Sequence, residues 1–251
     1  MLDYDRLKAP QGDGEVLVLP TARECARLLK ENSATLRVAE TPIAGRTLLY
    51  WRRATRATLL GDPDRPAVVL GHQPEFIHPG VWAKHVVAQR LAQAAGGIAV
   101  NLTVDNDTLR ATTLRVPTVH EERVGLKNVP FPNLSARRVY EELAPLSPPQ
   151  CAAISAEVRR TMEDRFDASL LPVFFDALAD AHTARDGVSQ LVIARRAVER
   201  ELGIEIEERR VSEIDWTPLF IEMLQDPARF VACYNAALAA YRAKRRIRGT
   251  E

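Results

Sequence analysis

Ten consecutive residues, Gly71-His72-Gln73-Pro74-Glu75-Phe76-Ile77-His78-Pro79-Gly80, hold two imidazoles, a carboxamide, a carboxylate and two glycines. Trp82, Lys84 and His85 follow at once. Imidazole and ammonium groups stabilise charge that develops on phosphoryl or acyl oxygens, and His78 is the candidate catalytic group of this loop. Glycine lets a backbone approach a ligand closely, which assigns Gly71 and Gly80, together with His72, Gln73, Trp82 and Lys84, to substrate or nucleotide binding. A second constellation follows in Asn101-Leu-Thr-Val-Asp105-Asn106-Asp107-Thr108. On an extended chain Asp105 and Asp107 fall on one side, where they could hold a Mg2+–nucleotide, bind a substrate amine or act as general base. Asn101 and Asn106 are then binding residues beside two catalytic carboxylates. The plainer alternative is a polar turn capping a strand.

These groups need elements to position them. Residues 67–70 are all apolar, the pattern of a buried parallel strand, and 98–104 read as the next strand. Between them a helix starts near Gly80, with Ala83, Val87, Leu91 and Ala94 as its packed face, and Gly96-Gly97 ends it. Strand, helix and parallel strand make a βαβ unit. Ligands in such sheets bind beyond the carboxyl ends of the strands, where both constellations then lie. The helix start also offers unpaired N–H groups that suit phosphate or carboxylate.

Upstream, 15–19 read as a short strand, Thr21 with Glu24 as a capping box for a helix over 22–30, and 46–60 as a second helix. Downstream, 109–119 read as a strand or hairpin arm. Pro130, Pro132, Pro145, Pro148 and Pro149 mark a linker, and helices are expected over 152–166, 170–181, 188–202 and 227–247. The last opens on Asp226-Pro227 and should bury Phe230, Tyr234, Ala237 and Tyr241. Ile204 to Glu208 alternates apolar and acidic residues like an edge strand. The resulting organisation is an α/β core over 1–125, a proline-rich linker over 126–150, and a mainly helical region over 151–251 with one short strand.

Composition narrows the function. A net charge of +1 supplies no field to attract nucleic acid, and the basic run from Arg242 to Arg248, without interleaved aromatics, reads as a helix terminus. No apolar run reaches the roughly 20 residues of a membrane span, and Met1-Leu2-Asp3-Tyr4-Asp5-Arg6 lacks signal-peptide character, so a cytoplasmic location is expected. Cys25, Cys151 and Cys233 are too scattered for a thiolate zinc site and read as small buried apolar groups on helices. His85 is expected at the surface or between helices, His120 exposed, and His182 capping a helix end. Gly-x-Ser-x-Gly, Walker and Gly-x-Gly-x-x-Gly patterns are absent from the sequence.

Residues 70–92 and 98–107 resemble the core of the bacillithiol biosynthesis cysteine-adding enzyme family. That family has a Gly-Gln-Gln loop running through Gly-Pro and an aromatic residue into a lysine-bearing helix, and its next strand ends in Glu-Asp-His-Asp. Gly71 and Gln73 match the outer positions of the loop motif, Pro79-Gly80 stands at Gly-Pro, Trp82 answers the aromatic residue, and Lys84 lies two residues early. Asp105 and Asp107 match the outer aspartates, while His72, Val104 and Asn106 depart from the pattern. More distantly, His78-Pro79-Gly80-Val81 resembles the His-x-Gly-His signature of nucleotidylyltransferases, with Val81 in place of the second histidine. The resemblance implies a Rossmann-like α/β fold, and a ligase or transferase joining an amine- or thiol-bearing small molecule to a nucleotide- or sugar-type substrate, with Mg–ATP or without a cofactor. It also implies that this chain is a shorter relative, or lacks a C-terminal part. Alternatives are a non-catalytic nucleotide or sugar-phosphate binding module, and a structural subunit pairing through the helical region, as in a homodimer.

Overall fold

Residues 67–72 extend as β3 (Ala67–His72) and pair in parallel with β4 (Ile98–Thr103), with α3 (Pro79–Ala94) between them in the chain. The expected βαβ unit is therefore present. A third strand, β7 (Glu207–Arg210), pairs in parallel on the other side of β4, giving the order β3-β4-β7. The structure, a computed structural model, describes residues 8, 10–75, 78–109, 112–121, 123–132, 138–163, 166 and 169–245. Contacts divide the chain into one unit of residues 1–31 and 65–213 and another of 32–64 and 214–251.

The first unit holds the sheet. Val68 and Leu70 on β3 and Ala99 on β4 pack against Ala88 and Ala92 of α3, with Ile204 and Ile206 leading into β7. Small residues let the helix lie close to the strands. The packed face expected on α3 is displaced: His85, Ala88 and Ala92 are buried, whereas Val86 and Val87 are about 40% exposed. Apolar residues surround α3 almost completely, so periodicity alone could not select the face. β3 is an edge strand, and Val69 is 55% exposed, so β3 is not the fully buried strand that its composition suggests. The other edge is β7, as expected, although the paired residues are Glu207–Arg210 and Ile204 and Ile206 precede them as buried anchors.

Beyond β4, β5 (Thr113–His120) and β6 (Arg123–Pro130) form an antiparallel hairpin. The stretch read as a linker thus begins inside a strand. It then contributes Phe131, Tyr140, Leu143 and Leu146 to the larger core, with α4 (Pro148–Met162), α5 (Leu170–Asp180) and α6 (Gly187–Glu201). α4 starts on a capping box between Ser147 and Gln150 and opens on two prolines, which lack N–H donors that would be unpaired there anyway. No strand forms at 15–19, where Val16 is 81% exposed and nothing pairs with it among the described residues. α1 (Ala22–Arg37) does open on the Thr21–Glu24 capping box, and it continues past Lys30 because no breaker follows.

In the second unit, β1 (Pro42–Ile43) and β2 (Arg46–Thr47) flank Ala44 and Gly45, both at positive φ, and Thr47 caps α2 (Leu48–Leu60). α7 (Thr217–Gln225) was not legible as a helix. α8 (Pro227–Arg245) starts on Asp226 as expected, but Phe230, Tyr234 and Tyr241 are exposed rather than buried. Residues 246–247, where this helix was expected to end, lie outside the described residues. No helix among the described residues is long and apolar enough to cross a membrane.

A buried polar network fastens β7 and α6 to the βαβ unit. His85 Nδ1 donates to Glu199 Oε1 at 2.9 Å, and both side chains are inaccessible to solvent. Arg195, fully buried, approaches Glu199 at 3.2 Å through Nε and pairs with Glu208 through Nη2. Glu208 also accepts from Asn101 Nδ2 at 3.0 Å and Thr103 Oγ1 at 2.7 Å. Removing one member of a buried charge network leaves another unanswered, which costs about 3–5 kcal/mol. His85→Ala is therefore expected to lower unfolding free energy by about that amount in urea titration. A loss below about 1 kcal/mol would show that Glu199 does not depend on the imidazole.

Candidate functional site

β3 and β4 end side by side, and Val104 N–H donates to the His72 carbonyl at 2.9 Å just past the last pair. The loop after β3 and the exit of β4 therefore meet beyond the carboxyl edge of the sheet. Gln73 Nε2 donates to Asp107 Oδ2 at 3.1 Å, linking the two constellations directly. Asp107 also accepts from Thr108 N–H at 2.8 Å, so the polar-turn role and the contact with the loop coexist. Glu75 takes a hydrogen bond from the hydroxyl of Tyr140, a residue whose role was not legible in the sequence. Phe76 and Ile77 lie outside the described residues.

The two loop histidines are held in opposite senses. His72 Nδ1 lies 3.0 Å from the Gln73 carbonyl, which can only accept, so Nδ1 carries the proton and Nε2 is the basic nitrogen. His78 Nδ1 accepts from Gly80 N–H at 3.0 Å, so in the neutral ring the proton sits on Nε2. This bond is the N-cap of α3, and Val81 N–H bonds the His78 carbonyl at 2.7 Å, while Pro79 has no N–H. The start of α3 is thus satisfied by its own cap, and the free N–H groups expected there for an anion are taken. His78, Gly80 and Lys84 are exposed, and Trp82 is half-buried against both core clusters. Gly71 admits the neighbouring strand: a Cβ there would stand 3.3 Å from the Leu102 carbonyl.

Asp105 and Asp107 are not brought to one face, because β4 ends at Thr103. The Asp105 carboxylate is buried and accepts from Ser212 N–H at 3.1 Å and Ser212 Oγ at 2.5 Å, with Arg210 Nη1 3.8 Å away. It ties β4 to the chain following β7. The two aspartates therefore do not fit the Mg2+–nucleotide reading, and no group of three His, Cys, Asp or Glu among the described residues could hold a metal ion. Asn101 is buried and spends its amide on Glu208, away from the mouth, whereas Asn106 is exposed beside it. Of the two places expected for His85, the surface or a helix–helix contact, the structure shows the second: it is buried between α3 and α6, inside the network with Glu199. The signal for that network was Arg195 and Glu199, an i,i+4 pair on a helix whose neighbours are apolar.

Arg210 completes the frame. Its guanidinium grips Asp186 at 2.8 and 2.6 Å and donates to Ser189 Oγ at 2.6 Å, while Asp186 caps α6 through Ser189 N–H at 2.8 Å. Burial pushes the Asp186 carboxyl up, but hydrogen bonds from Arg210 and Ser189 outweigh it and hold the group well below the usual carboxylate range.

Neither a scan against protein-family models nor a search of curated proteins returns a match for this chain. The site must be judged on its own geometry.

Two measurements check that geometry. A carboxyl depressed in the folded state stabilises the fold above the ordinary unfolded value, about 4, and that contribution is lost as pH falls below it. Asp186→Asn is expected to be less stable at neutral pH and to lose less stability on acidification than the wild type; parallel acid curves would contradict the clamp. At mildly alkaline pH, nitrogen NMR should show the Nδ1–H tautomer for His72 and the Nε2–H tautomer for His78. Matching tautomers would remove the asymmetry.

Proposed function

We propose that this chain is a small-molecule ligase or transferase of Rossmann-like fold, which joins an amine- or thiol-bearing molecule to a nucleotide- or sugar-type substrate as the bacillithiol cysteine-adding enzymes do. The observation that carries the reading is the 3.1 Å bond from Gln73 to Asp107, which holds the β3 loop and the β4 exit together beyond the carboxyl edge of a parallel sheet. The opposed histidines support it. His72 Nε2 accepts the proton of the attacking amine or thiol, and His78 Nε2–H, with the Lys84 ammonium, faces the oxygen on which negative charge develops. Asp107 and Asn106 orient the nucleophile, while Asp105 holds the frame.

The test incubates the protein with cysteine and other amino acids and with sugar- and nucleotide-type partners, with and without Mg–ATP. Mass spectrometry then looks for a condensation product lacking one water. Wild type is expected to form one, and His72→Ala or His78→Ala to slow it about 10²- to 10⁴-fold, with the melting temperature within about 2 °C for His72→Ala and about 2–4 °C lower for His78→Ala, which also loses the cap of α3. A wild type that forms no product across the panel, or variants that keep full rate, would overturn the reading.

A further inference from the structure

We propose that a second binding site lies beside residues 143–146, a pocket that takes a small carboxylic acid with a branched or aromatic body and pairs its carboxylate with Arg138. The cavity measures about 280 Å³ and is walled by Phe131, Leu143, Leu146 and Leu191. That is near the lower end for small-molecule sites, roughly 300 Å³, and suits a ligand the size of an amino-acid side chain with its acid group.

The walls are fixed in advance. Gln190 Oε1 accepts from Leu146 N–H at 2.6 Å, and its Nε2 donates to the Leu146 and Leu178 carbonyls, each at 2.8 Å. Gly187 N–H donates to the Leu143 carbonyl at 2.6 Å, and a Cβ on Gly187 would stand 2.7 Å from Leu143 Cβ. The buried amide is therefore spent on the wall and makes no polar demand on a ligand. What remains is a mixed lining, somewhat more apolar than polar, with Arg138 at its edge.

Among the described residues, Arg138 is the charged one that lines this pocket, and its exposed guanidinium has no hydrogen bond or ion pair to another described residue. A guanidinium recognises a planar carboxylate through two parallel hydrogen bonds. The backbone N–H of Ala144, also lining the pocket, is without a partner among the described residues and offers a further donor. The Arg138 carbonyl accepts from Leu109 N–H at 2.9 Å and Val139 bridges to Thr108, so the carboxylate sits beside a strap only two residues past Asp107. Binding of the acid at this second pocket does not rest on the proposed function.

Phenylacetate and isovalerate titrated into the full chain, followed by NMR, test the site, with phenethyl alcohol as the uncharged counterpart. Both acids are expected to saturate, and the alcohol to bind at least tenfold more weakly. Arg138→Gln should weaken phenylacetate about 10- to 100-fold, the worth of a charged hydrogen-bonded pair. Ala144→Phe, at an exposed position, should block the mouth without unfolding the chain. His78→Ala should bind phenylacetate as wild type does, which separates this site from the reaction centre. No saturable binding of either acid, equal affinity for the alcohol, or undiminished affinity in both Arg138→Gln and Ala144→Phe would overturn the proposal.

Discussion

Buried charge has to be answered inside the protein, and in the three-stranded sheet the answer runs through Glu208. Its carboxylate collects Asn101 and Thr103 from β4 and Arg195 from α6, and Arg195 passes the connection to Glu199 and thence to His85 on α3. Four elements, α3 and β4 from one stretch of the chain and α6 and β7 from another about a hundred residues on, are bound by one continuous set of charges and dipoles. Apolar contact between β4 and β7 would tolerate a slipped register. The pairing of Asn101 with Glu208 does not, because a shift of one residue would turn the carboxylate to the other face. The network is incomplete, since His85 Nε2, Asn101 Oδ1 and Arg195 Nη1 lack hydrogen-bond partners among the described residues. Such groups cost stability, so the cluster contributes specificity of arrangement more than raw stability.

A second tie works at the carboxyl edge. Ser212 holds Asp105, while Arg210 holds Asp186 and the start of α6. Asp105 and Asp107 lend their carbonyls to Glu141 and Tyr140, and Leu109 bonds the Arg138 carbonyl, so the 105–109 run is braced along its length. Asn106, exposed, therefore stands on a braced run rather than on a free loop. Support of this kind for an exposed polar group is what binding in a fixed orientation requires.

The parts of the fold carried by local pattern were legible. The strands at 67–72 and 98–103, the helix between them and the Thr21–Glu24 cap follow from apolar runs, glycine breaks and capping residues. That the loop after β3 and the exit of β4 lie at one edge was legible too, because a βαβ unit brings the two strand ends together, but the bond between Gln73 and Asp107 was not. What was hidden depends on partners remote in sequence. For His85 the sequence left the surface and a helix–helix contact open, because Glu199, more than a hundred positions away, is what makes its burial tolerable. Asp105 looked like the twin of Asp107 because nothing local announces Ser212. The β6 strand was lost among prolines, since Pro130 lies at its last residue, where a missing donor does little harm.

The distance between β4 and β7 along the chain has a consequence for synthesis. A ribosome delivers His85, Asn101 and Thr103 long before it delivers Glu199 and Glu208. During that interval their polar groups have only water as partner, so the emerging two-strand unit stays hydrated on the very face that is later dry. The last strand to arrive is thus the one that brings Glu208, the acceptor on which Asn101 and Thr103 depend.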